Sequence, residues 1–392
     1  MENQSSFLLN LSWIIFAFSY CNNTIFSYNY YKRLNHFCQL KNQKRIEKMQ
    51  EKKLGAAVVA VSEGVRHIKA YKGCSDYNLL ALSDPDQARI ESRIRECNLS
   101  GMRISSDYRE ILKMDDVDVV SVTSPDFYHA EQSIAFLEAG KNVLCEKPMT
   151  LDLGEAAAIA ETVRKTGKVF MIAHPTRYTP AFILAKKMIA RGDIGELFMA
   201  ETEYAHNYRH VGGKNNWRKD ARRDPLLGGG CHAVDFLRWA VDDLLDEAFA
   251  YGTKKGLADW PIDFDSYFCL YKFKNGVIGK VMCSIGLSRP YTMRSVFYGT
   301  KGTIICDNLS PKMQLSSVPF YDAPRDSTAF IDIPVDVNNH NVESQVQLMA
   351  DIVLRGAKNT ADVVEGARTV AACAAAIESA HTGKPVKVRN DF

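Results

Sequence analysis

The chain has 392 residues, 46% hydrophobic and 24% charged, with 49 Lys+Arg against 46 Asp+Glu and a formal net charge of +3. That length accommodates two domains with cores of their own, and the composition excludes a disordered chain. A balance this close to neutral also excludes attachment to nucleic acid by bulk charge, which needs a basic face or stripe.

The small excess sits at the start. Lys32, Arg33, Lys41, Lys44, Arg45 and Lys48 face only Glu2 and Glu47 in residues 1–48, so the remainder carries 43 basic and 44 acidic residues. The same stretch has seven Asn, one Ala and no Gly, Pro or Val. Its apolar part, Phe7 to Tyr20, is broken by Asn10 and Ser12 and is too short to span a membrane. It also lacks the positive n-region of a signal peptide. Residues 1–48 are therefore expected to be an extension with no fold of its own ahead of a natural start at Met49, with a cleaved targeting segment as the alternative. The ten cysteines are scattered, without a CxxC or a metal-ligand spacing to His. A reducing, cytoplasmic protein without disulfides follows.

In chain order, residues 54–61 (LGAAVVAV) predict a strand buried on both faces, as in a parallel sheet. A turn and a helix to about Lys72 follow, then strands at Asn78–Ser83 and Val117–Val122. After Ser124-Pro125 comes a helix through Phe136. Strands at Asn142–Cys145 and Lys168–Ala173 flank an Ala-rich helix, Leu153–Lys165. Alternation over some 120 residues predicts βαβ units and a doubly wound sheet, placed at residues 53–175. Beyond this, alternating strands are predicted at Phe198–Tyr204, Ser266–Phe273, Val277–Ser284, Arg294–Tyr298 and Thr303–Cys306. Asn275-Gly276 forms a hairpin turn. A helix spans Val234–Val241, and two helices with Val and Ala stripes close the chain before Gly383. Residues 176–388 thus read as an α/β domain with a large, mainly antiparallel sheet.

Three places carry chemistry. In the turn after the first strand, Ala60-Val61-Ser62-Glu63-Gly64-Val65-Arg66, a dinucleotide fold puts its glycine fingerprint and receives the pyrophosphate. Gly64 is the one glycine; Ala60 and Ser62 are small, Arg66 adds a cation, and Glu63 must point away from an anion. A nucleotide fold with a lost or altered cofactor stays open on this loop. Asp84 ends the second strand about 20 residues on, where an acid can bind ribose hydroxyls and favour NAD over NADP; Asp-Pro is equally a turn. Glu146-Lys147-Pro148 ends a parallel strand, at the edge where such sheets hold ligands, and a lysine there can assist proton transfer. Gly228-Gly-Gly-Cys-His232-Ala-Val-Asp235 opens a helix, with a neutral imidazole suited to a general base and Asp235 three residues on.

With these motifs the body, from about Lys53 to Val388, resembles the Gfo/Idh/MocA family, the glucose-fructose oxidoreductase and inositol dehydrogenase group. Further carriers are Ser124-Pro125 with His129, Arg177-Tyr178, Lys274-Asn-Gly276 and Gly299-Thr-Lys-Gly302. The resemblance implies a Rossmann domain, a second domain whose open sheet forms homodimers or homotetramers, a nicotinamide cofactor, and a sugar, cyclitol or related polyol substrate. It places Lys147 between nicotinamide and reacting carbon and His232 as acid/base. Ser124, Pro125, His129, Glu146 and Arg177 fall along the cofactor. Many members carry an Asp four residues before the histidine, where this chain has Gly228. Substrate contacts are expected from Lys147, Arg177, Trp217, Arg218, His232 and Asp235. Trp217, Arg218, Arg222 and Arg223 either recognise an acidic or phosphorylated sugar or form a solvated loop. His206 and His210 are read as surface or substrate-lining residues, and no metal, nucleic acid or membrane partner is expected. The rivals to a dehydrogenase are a cofactor-recycling glycosidase or lyase and a non-catalytic sugar or nucleotide sensor.

Overall fold

All six residues of β1 (Leu54–Val59) are buried, because helices cover both faces of the sheet in which it is central. The computed structural model describes residues 53–211, 216–317 and 329–392; the segment 1–48 lies outside them. Around β1 stand β2 (Tyr77–Ser83), β3 (Arg103–Ser105), β4 (Val119–Val122), β5 (Asn142–Glu146) and β6 (Phe170–Ala173). They form a wholly parallel sheet in the order β3-β2-β1-β4-β5-β6. The crossovers are α1 (Val65–Gly73), α2 (Gln87–Glu96), α3 (Arg109–Leu112), α4 (His129–Glu138) and α5 (Leu153–Thr166). Local chemistry sets their ends: Asp86 and Asp152 accept from backbone N–H groups in the first turns of α2 and α5, and Gly167 closes α5 in the left-handed conformation. Strand order reverses between β1 and β4, which opens a crevice at their carboxyl ends.

The second lobe is built on nine strands: β7 (Leu197–Ala205), β8 (Leu245–Thr253), β9 (Ser266–Phe273), β10 (Ile278–Ser284), β11 (Ser295–Gly299), β12 (Gly302–Cys306), β13 (Lys312–Ser317), β14 (Ile331–Pro334) and β15 (Val386–Lys387). Their order is β14-β13-β12-β11-β7-β10-β9-β8-β15, antiparallel except where β7 meets β10. The Asn275-Gly276 turn joins β9 to β10, with Gly276 at φ +90°. Four helices complete the lobe: α6 (Pro180–Arg191), α7 (Cys231–Val241), α8 (Val342–Arg355) and α9 (Val363–Thr382). Gly383 ends α9 at φ +67°.

One face of this sheet carries α7 and α9: Thr202 donates to the Ala233 carbonyl at 2.9 Å and Tyr271 to that of Ala372 at 3.1 Å. The other face is open and apolar, with Tyr251, Phe268, Leu270 and Ile278 more than half exposed. Helix α8 returns to the first lobe, where Tyr77 donates to the Val346 carbonyl and Arg355 pairs with Asp76 at 2.7 Å. The residues from Leu54 onward form one unit. No helix among the described residues is long and apolar enough to cross a membrane.

Candidate active site

The turn after β1 begins with Ala60 at φ +66°, a conformation that a Cβ disfavours and that the fingerprint's first glycine would adopt freely. Gly64 follows by four residues rather than five and caps α1. A Cβ at Gly64 would stand 2.5 Å from Thr123 Oγ1 and 2.8 Å from the Ala60 carbonyl, so only glycine lets helix and strand meet here. Thr123, after β4, donates to the carbonyls of Val59 and Ala60 and ties both sides of the crevice together.

A chamber of about 260 Å³ opens from this crevice between the lobes. Of the residues expected in the site, Arg66, Ser124, His129, Glu146, Lys147, Trp217, Arg218 and His232 line it. The first turn of α1 carries no acidic residue. The one acid in the loop, Glu63, is paired with Arg218 at 2.7 Å. The β1/β4 crevice, the glycine-only approach at Gly64 and Arg66 at the start of α1 therefore fit a dinucleotide, with its pyrophosphate at the α1 N-terminus.

Glu146 and Lys147 are set by a buried chain of hydrogen bonds. Tyr71 OH is hydrogen-bonded to Ser121 Oγ (2.8 Å), Ser121 Oγ to His67 Nδ1 (2.9 Å), and His67 Nε2 to the Glu146 carboxylate (3.3 Å). Burial raises the Glu146 pKa, but His67 and Lys147 draw it down to about 2. The Lys147 N–H donates to the Glu146 carboxylate at 3.1 Å, and Lys147 Nζ donates to the Gly228 carbonyl at 3.4 Å. His129 faces a carbonyl from each ring nitrogen, Pro148 at 2.7 Å and Ser124 at 2.8 Å. Only an imidazolium can donate to both. Burial opposes that charge, yet Cys145, Asp126 and the Pro148 carbonyl raise the pKa to about 9. His129 thus braces the loops after β4 and β5.

His232 opens α7 with its ring stacked on Tyr204, centroids 5.5 Å apart. Nδ1 is buried without a partner among the described residues. Burial, then Lys147 and the nearby histidines, hold its pKa well below the ordinary value, so the ring is neutral. Lys147 and a neutral imidazole facing one chamber at the mouth of a dinucleotide crevice can polarise an oxygen and accept its proton.

Other expected residues lie elsewhere. Ser62 is exposed in the turn, Gly64 packs beneath it, and Pro125 starts the turn that carries Asp126. Asp84 is 1% exposed, and its oxygens accept from Val61 N–H, Asp86 N–H and Arg89. Asp84 thus anchors the loop after β1. Arg177 and Asp235 pair with each other and do not line the chamber. Arg177 donates to both Asp235 oxygens, at 2.9 and 2.7 Å, and to Glu365 at 2.9 Å, with Arg177 and Asp235 at most 2% exposed. They form a structural ion pair outside the chamber. The arginine cluster is sorted as well: exposed Arg222 pairs with Asp220, Arg218 with Glu63, and Arg223 with buried Asp126.

Sequence reasoning missed His67, Tyr204, Tyr291 and His340; Arg223, named there with the arginine cluster, does line the chamber. His206 lines the chamber, stacked on Tyr291, and burial lowers its pKa to about 4; His210 is exposed. Among the described residues no group of His, Cys, Asp or Glu is arranged to hold a metal ion.

Residues 54–174 match the model of an oxidoreductase family with an NAD-binding Rossmann fold, and residues 182–305 match the GFO/IDH/MocA C-terminal domain. The chain belongs to the Gfo/Idh/MocA family. It is an oxidoreductase by family, with an NAD-binding first lobe. Levoglucosan dehydrogenase of Pseudarthrobacter phenanthrenivorans is 30% identical over 226 residues, 51% of this chain and 58% of that protein. The chain therefore spans little more than half of that relative. Inositol 2-dehydrogenase 2 of Saccharopolyspora erythraea is 26% identical, over 62% of this chain and 69% of its own length. A solved levoglucosan dehydrogenase, in complex with NADH and L-sorbose, superposes with a TM-score of 0.78 at 21% identity, covering 87% of this chain and all of that one. At that identity the likeness establishes the fold.

Proposed function

We propose that the protein is an NAD-dependent dehydrogenase that moves hydride between nicotinamide and a secondary alcohol carbon of a sugar, cyclitol or related polyol. The observation that carries this reading is the meeting of Lys147 and neutral His232 in one chamber at the β1/β4 crevice. When bound, the cofactor supplies the hydride acceptor. His232 takes the hydroxyl proton, Lys147 donates to the oxygen as it becomes a carbonyl, and Ser124, Glu146 and braced His129 shape the wall for the nicotinamide. Trp217 and Arg218 contribute to the substrate side. Cofactor binding belongs to residues 53–175, and substrate binding and assembly to 176–388.

Purified protein is expected to bind NAD(H) and to reduce it with an inositol or an anhydrosugar, read as growth of the reduced-nicotinamide absorbance. Absence of any NAD(H) or NADP(H) binding sinks this reading. A product that has lost a leaving group with no net NADH points to transient oxidation instead.

The open apolar face around Phe268 and Leu270 supports a homodimer or homotetramer, since a patch of that kind marks an interaction surface. Sedimentation of wild type as a single oligomer, and dissociation of Phe268→Glu/Leu270→Glu to monomer, is the expected result; a monomeric wild type refutes it. The eight cysteines among the described residues are free thiols, which supports a reducing, cytoplasmic setting.

A further inference from the structure

The space that a side chain at Gly228 would occupy is already filled. A Cβ there would stand 2.2 Å from Arg223 Nη2 and 2.9 Å from its Cζ. That guanidinium is fixed on several sides. Its Nε–H donates to both oxygens of Asp126, at 3.0 and 2.7 Å, and Nη1 donates to the Arg218 carbonyl at 3.3 Å. The Trp217 ring lies against it, centroid 4.5 Å from Cζ. Asp126 comes from the Rossmann lobe and is 1% exposed, so the guanidinium plane is clamped across the two lobes.

Asp126 engages only the Nε edge. Nη2, at the end that abuts Gly228, has no acceptor among the described residues, and Arg223 lines the chamber. Lys147 reaches the same glycine, with Nζ 3.4 Å from its carbonyl oxygen. Arg66 and Lys147, also on the chamber wall, form no ion pair among the described residues, so positive charge is left over beside this corner. Where the family resemblance implies a carboxylate acceptor, this chain presents donors that cannot accept. The absence of a side chain at 228 and the place of Arg223 are one arrangement.

We propose that Arg223 is a specificity-determining residue and that the substrate is a sugar acid, a hexuronate or aldonate, whose carboxylate meets Arg223 Nη2 while the neighbouring hydroxyl meets Lys147 and His232. This rests on the dehydrogenase reading above. A hydroxyl can turn a lone pair to the guanidinium, but a carboxylate offers two acceptor oxygens and a charge, and such bonds are about twice as strong.

The test needs no turnover. NAD binding is measured first by calorimetry, which judges the dehydrogenase reading on its own. The protein, NAD-loaded or not as that result dictates, is then titrated with D-glucuronate against D-glucose and with D-gluconate against D-sorbitol. In at least one pair the acid is expected to bind roughly ten- to a hundredfold tighter, the span of one charge-assisted hydrogen bond. Arg223→Gln is expected to remove that difference. Gly228→Asp, whose Cβ must push the Arg223 end group aside and whose carboxylate then competes for it, is expected to do the same, and it decides if Arg223→Gln does not fold. Equal or weaker binding of both acids by wild type, or a preference for acid that survives both substitutions, overturns the proposal.

Discussion

Asp235→Ala is expected to cost the fold about 3–5 kcal/mol, because it leaves the Arg177 guanidinium buried without its bidentate partner. Glu365 is then the one carboxylate beside it, together with the Thr360 carbonyl, and Glu365 is shared with Arg238 and Arg368. Thr369, which donates to Asp235 at 3.1 Å, loses its acceptor too. Against a typical total of about 5–15 kcal/mol this is a large share, and denaturant titration reads it directly. Replacing both partners by apolar residues, Arg177→Met with Asp235→Leu, is expected to recover much of the loss. Since the pair lies outside the chamber, the Kd for NAD is expected to change little while stability falls. A large loss of NAD affinity with unchanged stability would return both residues to the site.

The same pair has a signature in pH. Burial raises the Asp235 pKa, but Arg177 and His174 overcome this and hold it well below its ordinary 3.8. The unfolded chain therefore takes up the proton first as pH falls. The stabilisation is complete above about pH 4 and is lost at lower pH. Asp235→Asn is expected to flatten the acid limb of stability against pH, a result that a surface ion pair would not give.

That pair shows where reading the sequence stops. Asp235 looks like a companion of His232 because three residues on a helix bring side chains near one another. Three residues also advance about 300° around the axis, enough for Asp235 to turn to Arg177, 58 residues earlier, while His232 faces the chamber. The strands β1, β4 and β5 were legible because burial on both faces leaves runs dominated by apolar residues. β3 is three residues long with Arg103 at its start, and β8 mixes Asp246 and Glu247 into its pattern and slips register between Leu245 and Glu247. Neither gives a period to read. Helix α6 did carry a signal, Pro180 at its first turn and Gly192 at its end. His67 carried none: its role exists only once β4 brings Ser121 and β5 brings Glu146 to it, from 54 and 79 residues away. The motif residues Lys147 and His232 were visible because their signatures are local; the groups that hold them are not.

Lys147→Met is expected to lower kcat by about 10²–10⁴-fold, the range of a positioned acid or base in proton transfer. Its Nζ stands in the chamber on a rigid strand end, and its backbone is pinned through Glu146 by the His67 chain, so the loss falls on chemistry more than on binding. Lys147→Arg is not expected to rescue, because a guanidinium keeps its proton and has a different reach. The partner residue sets the pH profile. His232 is held neutral by burial and by Lys147, so the acid limb of kcat/KM should fall well below the ordinary histidine value of 6.5. Removing the Lys147 charge relaxes one of the causes of that depression, so in Lys147→Met the acid limb moves up in pH. A profile in which the limb already stands at the ordinary value in wild type, and does not move in the variant, would separate the two residues and give the proton to another group.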